Sequence, residues 1–166
     1  MKLYHYVPKG SDVLKKGILS VSLMPEELLK YAKRAGSDKP QEIIAWLEKS
    51  CLGRSKSISV LTEPVKWQGN DAMLKDWVDG KELIEIDYTS LLQDGLIEIL
   101  YCKDGSDKWG AVENIYAVSF EDIDFSPLPW YKCSKEKGLF FAVIRHYFIV
   151  MKNGIIPPQY IKLVSE

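Results

Sequence analysis

The sequence predicts an α+β fold, a single domain with its helices mainly in the N-terminal half and packed on a mixed or antiparallel sheet. Helical patterns cluster in the first third of the chain, and strand patterns dominate the rest. Hydrophobic residues make up 46% of the chain and charged residues 27%, as in an ordinary globular protein. Because the 166 residues contain no linker, repeat or low-complexity tract, we expect one domain over residues 1–166.

The N-terminal half alternates strand and helix signals. Pro25, Glu26 and Glu27 favour a helix start, because proline suits the first turn and carboxylates suit the positive end of the helix dipole. The segment from Ser57 to Leu61 alternates polar and apolar residues, as a half-exposed strand does. The expected elements are a strand at 3–7, a helical turn at 11–16, an extended segment at 18–21, a helix from Pro25 closed by Gly36, a helix at 40–50 capped by Asp38, and a strand at 57–61.

The C-terminal half contains mainly strand patterns. Asn153-Gly154 is a turn signal, and the aromatic residues of the segment before the last long strand indicate an ordered loop. The expected elements are a short helix from Asn70 or Asp71 to Val78, strands at 83–86 and 96–102 joined by a turn or short helix at 88–93, a strand at 115–120, a loop at 122–138, a long strand or bent pair at 139–151, and a final helical turn or extended tail from Pro157.

Composition excludes several classes of protein. The formal net charge is -1, so electrostatics give no indication of nucleic-acid binding. Three widely spaced cysteines, Cys51, Cys102 and Cys133, predict neither a zinc site nor a disulfide framework. Reduced thiols fit the cytoplasm, or a host cytosol for a delivered protein. The apolar run at 139–151 is interrupted by charge and is too short to cross a bilayer, so we expect no membrane partner.

A basic, hydroxyl-rich loop follows the second predicted helix and enters a strand. It contains Arg54, Ser55, Lys56 and Ser57 after Gly53. Such a loop can donate charge-assisted hydrogen bonds to phosphate or carboxylate oxygens, although it lacks the Walker A pattern. It is either a site for an anion or a solvated connector.

Glu63 and Trp67 lie just beyond the same strand, one on each side of Pro64 and Lys66. A tryptophan can stack on a flat ligand, and a glutamate can accept a hydrogen bond from it. The alternative is an edge loop whose tryptophan covers the core.

The two histidines, His5 and His146, both stand in a His-Tyr-apolar context. The motif of two-histidine phosphoesterases needs a hydroxyl residue two positions after each histidine, and Val7 and Phe148 occupy those positions. We predict no metal site. Glu98 and Glu113 could each act as a lone carboxylate, and we take His5 and Glu113 as the candidate catalytic residues.

The ends of the chain resemble the ADP-ribosyltransferase-like superfamily. Leu3-Tyr4-His5, a helical turn and Gly17-Ile18-Leu19 are similar to that family's opening segment, and the segments 145–150 and 155–161 are similar to its closing strand and the Tyr-Ile segment that follows it. The resemblance implies that His5 contacts the ribose of NAD. It also implies binding of NAD or an adenine nucleotide, with no cofactor fixed by the sequence itself.

The chain departs from that family where the catalytic glutamate would stand, since Arg145 and His146 occupy the position. An arginine there would repel an oxocarbenium-like ribose but would suit a phosphate. The resemblance therefore favours nucleotide binding, with Arg54, Lys56 and Arg145 near phosphates and Trp67 near the base. A non-enzymatic interaction domain of a bacterial effector or multidomain protein, using the Trp130 loop, and an unrelated small phosphodiesterase or nuclease are the alternatives.

Overall fold

The computed structural model describes residues 1–34, 36, 38–65, 78–104, 114–127 and 146–164. The helices are α1 (Val13–Lys16), α2 (Pro25–Arg34), α3 (Pro40–Ser50) and α4 (Tyr88–Gln93), and 3-10 turns lie at Val21–Leu23, Arg54–Lys56, Phe120–Asp122 and Pro158–Tyr160. The strands are β1 (Lys2–Pro8), β2 (Ile18–Leu19), β3 (Ser57–Leu61), β4 (Lys81–Asp87), β5 (Ile97–Asp104), β6 (Asn114–Val118), β7 (His146–Met151), β8 (Ile155–Ile156) and β9 (Ile161–Leu163).

The strands form two antiparallel sheets. The larger has seven strands in the order β6-β5-β7-β3-β1-β4-β9, and β2 pairs with β8 in a separate two-stranded sheet. Of the four helices in the described residues, three precede β3. The predicted α+β class, with most helices in the N-terminal half, is confirmed.

The large sheet is nearly divided between β1 and β3. β1 pairs with β4 along its whole length, from Lys2 opposite Asp87 to Pro8 opposite Lys81. With β3 it is in register at one pair, Tyr4 opposite Leu61. The later residues of β1 and the earlier residues of β3 are therefore not joined by ladder hydrogen bonds, and a gap can open between the two halves of the sheet.

Alternation along β7 separates two apolar clusters. Tyr147, Ile149 and Met151 belong to the main core. Phe148 and Val150 form a smaller cluster with Tyr101, against which the free thiol of Cys51 packs. Both faces of β7 are therefore covered by apolar side chains, and the strand is buried within the sheet.

Several expected boundaries differ from the structure. The N-cap of α3 is Lys39 and not Asp38, because Pro40 takes the first helical position. The extended segment at 18–21 ends at Leu19, and Val21 begins a 3-10 turn. The tail after Pro157 forms a 3-10 turn and then β9, which pairs with β4. The predicted helix at 70–78 and the first half of the strand at 139–151 lie largely outside the described residues.

Candidate functional site

A cavity of about 660 Å³ opens beside the gap between β1 and β3, and we call it the interstrand cavity. Its polar lining comes from His5 on β1, Arg54 on the 3-10 turn, and Ser57 and Ser59 on β3. Its volume lies within the range of roughly 300–1,000 Å³ that small-molecule sites occupy. Its apolar lining consists of Leu19, Val21, Met24, Ile43, Trp46, Leu47, Ile58 and Phe148.

The imidazole of His5 bridges the gap between the two halves of the sheet. Its Nδ1 atom lies 2.6 Å from the backbone carbonyl oxygen of Ser59. Because a carbonyl oxygen can only accept, Nδ1 donates, and the neutral ring then carries its proton there. Nε2 is left as a hydrogen-bond acceptor.

The surroundings of His5 favour this neutral form. Burial lowers the pKa of His5, and the positive charge of Lys81 lowers this pKa further, whereas the hydrogen bond to Ser59 acts in the opposite direction. His5 lies in the middle of β1, which continues to Pro8, and not near the end of the strand. His5 lines the cavity because β1 and β3 are paired only at Tyr4 and Leu61, and the two strands separate from His5 onward.

Arg54 is held in a defined position at the cavity. Its guanidinium carbon lies 3.6 Å from the centroid of the Phe148 ring, and its Nη1 atom lies 3.3 Å from the Ser57 hydroxyl oxygen. The Ser57 hydroxyl donates in turn to the Arg54 carbonyl oxygen at 2.7 Å. Stacking on an aromatic ring fixes the plane of a guanidinium, and guanidinium N–H groups match the geometry of planar anions such as carboxylate or phosphate.

The remaining predicted loop residues lie elsewhere. Ser55 is buried, and the Lys56 ammonium forms an ion pair with Glu98 at 3.3 Å. Glu63 is half-buried beyond β3. None of these three predicted ligand residues is among the described residues that line the interstrand cavity. The loop thus supplies Arg54 and Ser57 to the cavity, and the charge of Lys56 is directed toward β5.

Several predicted residues lie outside the described residues: Trp67, Glu113, Arg145, the Trp130 loop from residue 128 onward and Cys133. Their roles stay predictions. His146 is half-buried at the first position of β7, opposite Leu61 on β3 and Lys103 on β5.

Trp46 is the lining residue that the sequence reasoning missed. The sequence predicts a helix at 40–50, but Trp46 was not singled out, although it lies three positions after Ile43 and next to Leu47. The spacing of residues 43, 46 and 47 is the helical signal that could have found it. All three line the cavity.

The described lining residues combine one guanidinium, one imidazole acceptor, hydroxyls and extensive apolar walls, with no carboxylate among them. They suit a ligand that is partly planar and apolar and partly anionic. Within the described ranges, no group of histidine, cysteine or acidic residues could hold a metal ion. No helix in that part of the chain is both long and apolar enough to cross a membrane.

Comparisons with known proteins give no family assignment for this chain. No protein-family model, curated protein or solved structure matches it.

Proposed function

We propose that this domain binds a nucleotide, such as NAD, ADP-ribose, ADP or AMP, in the interstrand cavity. The observation that carries the proposal is that His5 and Arg54, 49 positions apart in the chain, line one cavity with apolar walls. Arg54 can take a phosphate, and the Nε2 atom of His5 can accept from a sugar hydroxyl. The resemblance of Leu3-Tyr4-His5 to the ADP-ribosyltransferase-like opening strand supports the same ligand class.

The proposal is for binding and not for transfer of ADP-ribose. Transfer passes through an oxocarbenium-like ribose, which a carboxylate stabilises. The described lining of the cavity instead contributes the cation Arg54. That charge suits a phosphate and opposes a positively charged sugar.

A thermal-shift screen with NAD, ADP-ribose, ADP and AMP tests the proposal. A nucleotide present at a hundred times its dissociation constant should add about 2.7 kcal/mol of stability. For a domain of this size, that corresponds to a rise in melting temperature of roughly 5–10 °C. The absence of a shift with all four nucleotides at saturating concentrations would contradict the proposal and favour the protein-interaction alternative.

A pair of charge variants tests whether the nucleotide occupies this cavity. Arg54→Gln removes the cation from the cavity lining, whereas Lys56→Gln removes an equal charge two positions away, where it pairs with Glu98. We expect Arg54→Gln to weaken nucleotide binding about tenfold or more, as loss of a charge-assisted hydrogen bond does. Lys56→Gln should leave the affinity within about twofold, since exposed ion pairs contribute little. Equal losses would indicate a general effect of net charge.

A further inference from the structure

One wall of the interstrand cavity is formed by an exposed aromatic residue of α3. Trp46 is 63% exposed, although it lines the cavity. A single exposed apolar residue needs no explanation. Trp46 is not such an isolated residue, because its helical neighbours Ile43 and Leu47 line the same cavity. The three side chains form an apolar stripe of α3 along the interstrand cavity.

Arg54, the cation in the described lining of the cavity, follows α3 closely in the chain. α3 ends at Ser50, and Arg54 follows in the next 3-10 turn, where Phe148 and Ser57 hold its guanidinium. A ligand that satisfies both features must carry an uncharged planar ring for Trp46 and an anionic group for Arg54. A sugar phosphate lacks the ring, and a free nucleoside lacks the anion.

We propose, on the basis of the nucleotide-binding function above, that Trp46 is a specificity-determining residue that stacks on the nucleobase while Arg54 holds a phosphate. Bases stack on aromatic side chains through their faces, and this interaction contributes substantially to affinity. The site should therefore prefer AMP over ribose 5-phosphate, which differs from AMP by the absence of the base. This preference should depend on Trp46.

The test compares these two ligands by calorimetric titration with wild type and with Trp46→Leu. Leucine keeps helix propensity and apolar character but removes the planar ring. We expect Trp46→Leu to weaken AMP binding roughly 5- to 150-fold, the range of base stacking, and to leave ribose 5-phosphate binding within about twofold. Tyr116→Leu is the matched control, since Tyr116 is an exposed aromatic residue on β6 outside the cavity lining.

Tryptophan emission gives an independent readout. The chain has five tryptophans, so the signal of Trp46 is obtained as the difference between wild type and Trp46→Phe. AMP should quench this difference signal, and ribose 5-phosphate should not. Phenylalanine retains a stacking face, so Trp46→Phe should bind AMP more tightly than Trp46→Leu.

The outcomes separate the two proposals. If NAD, ADP-ribose, ADP or AMP binds but Trp46→Leu leaves every affinity unchanged, or weakens AMP and ribose 5-phosphate equally, stacking on Trp46 is wrong and nucleotide binding stands. If none of the four nucleotides binds wild type, the proposed function fails and this inference fails with it.

Discussion

The Nδ1 atom of His5 on β1 lies 2.6 Å from the carbonyl oxygen of Ser59 on β3. This side-chain hydrogen bond stands where the ladder between the two strands is missing, one residue after the single registered pair of Tyr4 and Leu61. His5 thus joins the two halves of the sheet at the place where the cavity opens. Its protonation state should affect both stability and the cavity.

The stability of the domain should fall below neutral pH in a way that depends on His5. Burial, with the charge of Lys81, holds the pKa of His5 below its usual value of 6.5. The neutral ring therefore contributes stability that is fully present above pH 6.5 and is lost as the pH falls through the folded-state pKa. One proton gives a slope of at most about 1.4 kcal/mol per pH unit.

Urea unfolding of wild type and His5→Gln at a series of pH values from neutral to mildly acidic checks this prediction. Other groups titrate in both proteins, so the difference between the two curves reports His5. We expect the free-energy advantage of wild type to shrink as the pH falls. Parallel curves would show that the folded protein does not perturb His5.

Gly53→Ala should destabilise the domain because it distorts the backbone just before the 3-10 turn that begins at Arg54. Gly53 has a φ of +77°, and an added Cβ would lie 2.6 Å from Cγ1 of Val150. Left-handed backbone costs an alanine about 1–2 kcal/mol, and overpacking adds about 1–3 kcal/mol. Gly10→Ala is the control, since Gly10 has a φ of +76° and no atom within 4 Å of the added Cβ.

Gly10→Ala should show the backbone cost alone. The difference between the two variants in unfolding free energy then measures the clash with Val150. Equal losses in the two variants would mean that Val150 moves aside without cost.

Arg54 and Phe148 should be energetically coupled. The guanidinium carbon lies 3.6 Å from the ring centroid, and cation–π contacts contribute about 0.5–2 kcal/mol, depending on desolvation. A double-mutant cycle with Arg54→Gln and Phe148→Leu should give a coupling free energy in that range. The same Phe148→Leu variant should also weaken nucleotide binding, because it frees the guanidinium to leave its position. A coupling of zero would show that the stacking does not hold Arg54.

His5 and His146 should differ in what they support. We expect His5→Ala to weaken nucleotide binding as well as stability, because its ring both lines the cavity and donates to the Ser59 carbonyl oxygen, and we expect His146→Ala to lower stability alone. His5 lines the cavity, whereas His146 begins β7 between β3 and β5. Melting temperatures and nucleotide titrations of both variants check this prediction. A loss of stability alone in both variants would remove the histidines from the site.

The sequence by itself determined the α+β class and most local elements. Pro25 and Pro40 began α2 and α3, and the strand predicted from Ser57 to Leu61 has the bounds of β3. These signals are local, because capping preferences and periodicity act within a few residues. The expectation that β3 is half-exposed was wrong, because all its residues except Ser59 are buried. Asp38 was misassigned as a cap because the proline after Lys39 has the stronger preference for the first helical position.

Tertiary structure alone decided which residues share a cavity. Arg54 and Lys56 look equivalent in the sequence, but the first stacks on Phe148 and the second pairs with Glu98. His5 stands in the middle of a strand, and it reaches the cavity because β3 separates from β1 after one pair. Trp46 lines the cavity because α3 lies beside the opening between β1 and β3. Each of these relations joins residues far apart in the chain, and no local propensity encodes how distant elements pack.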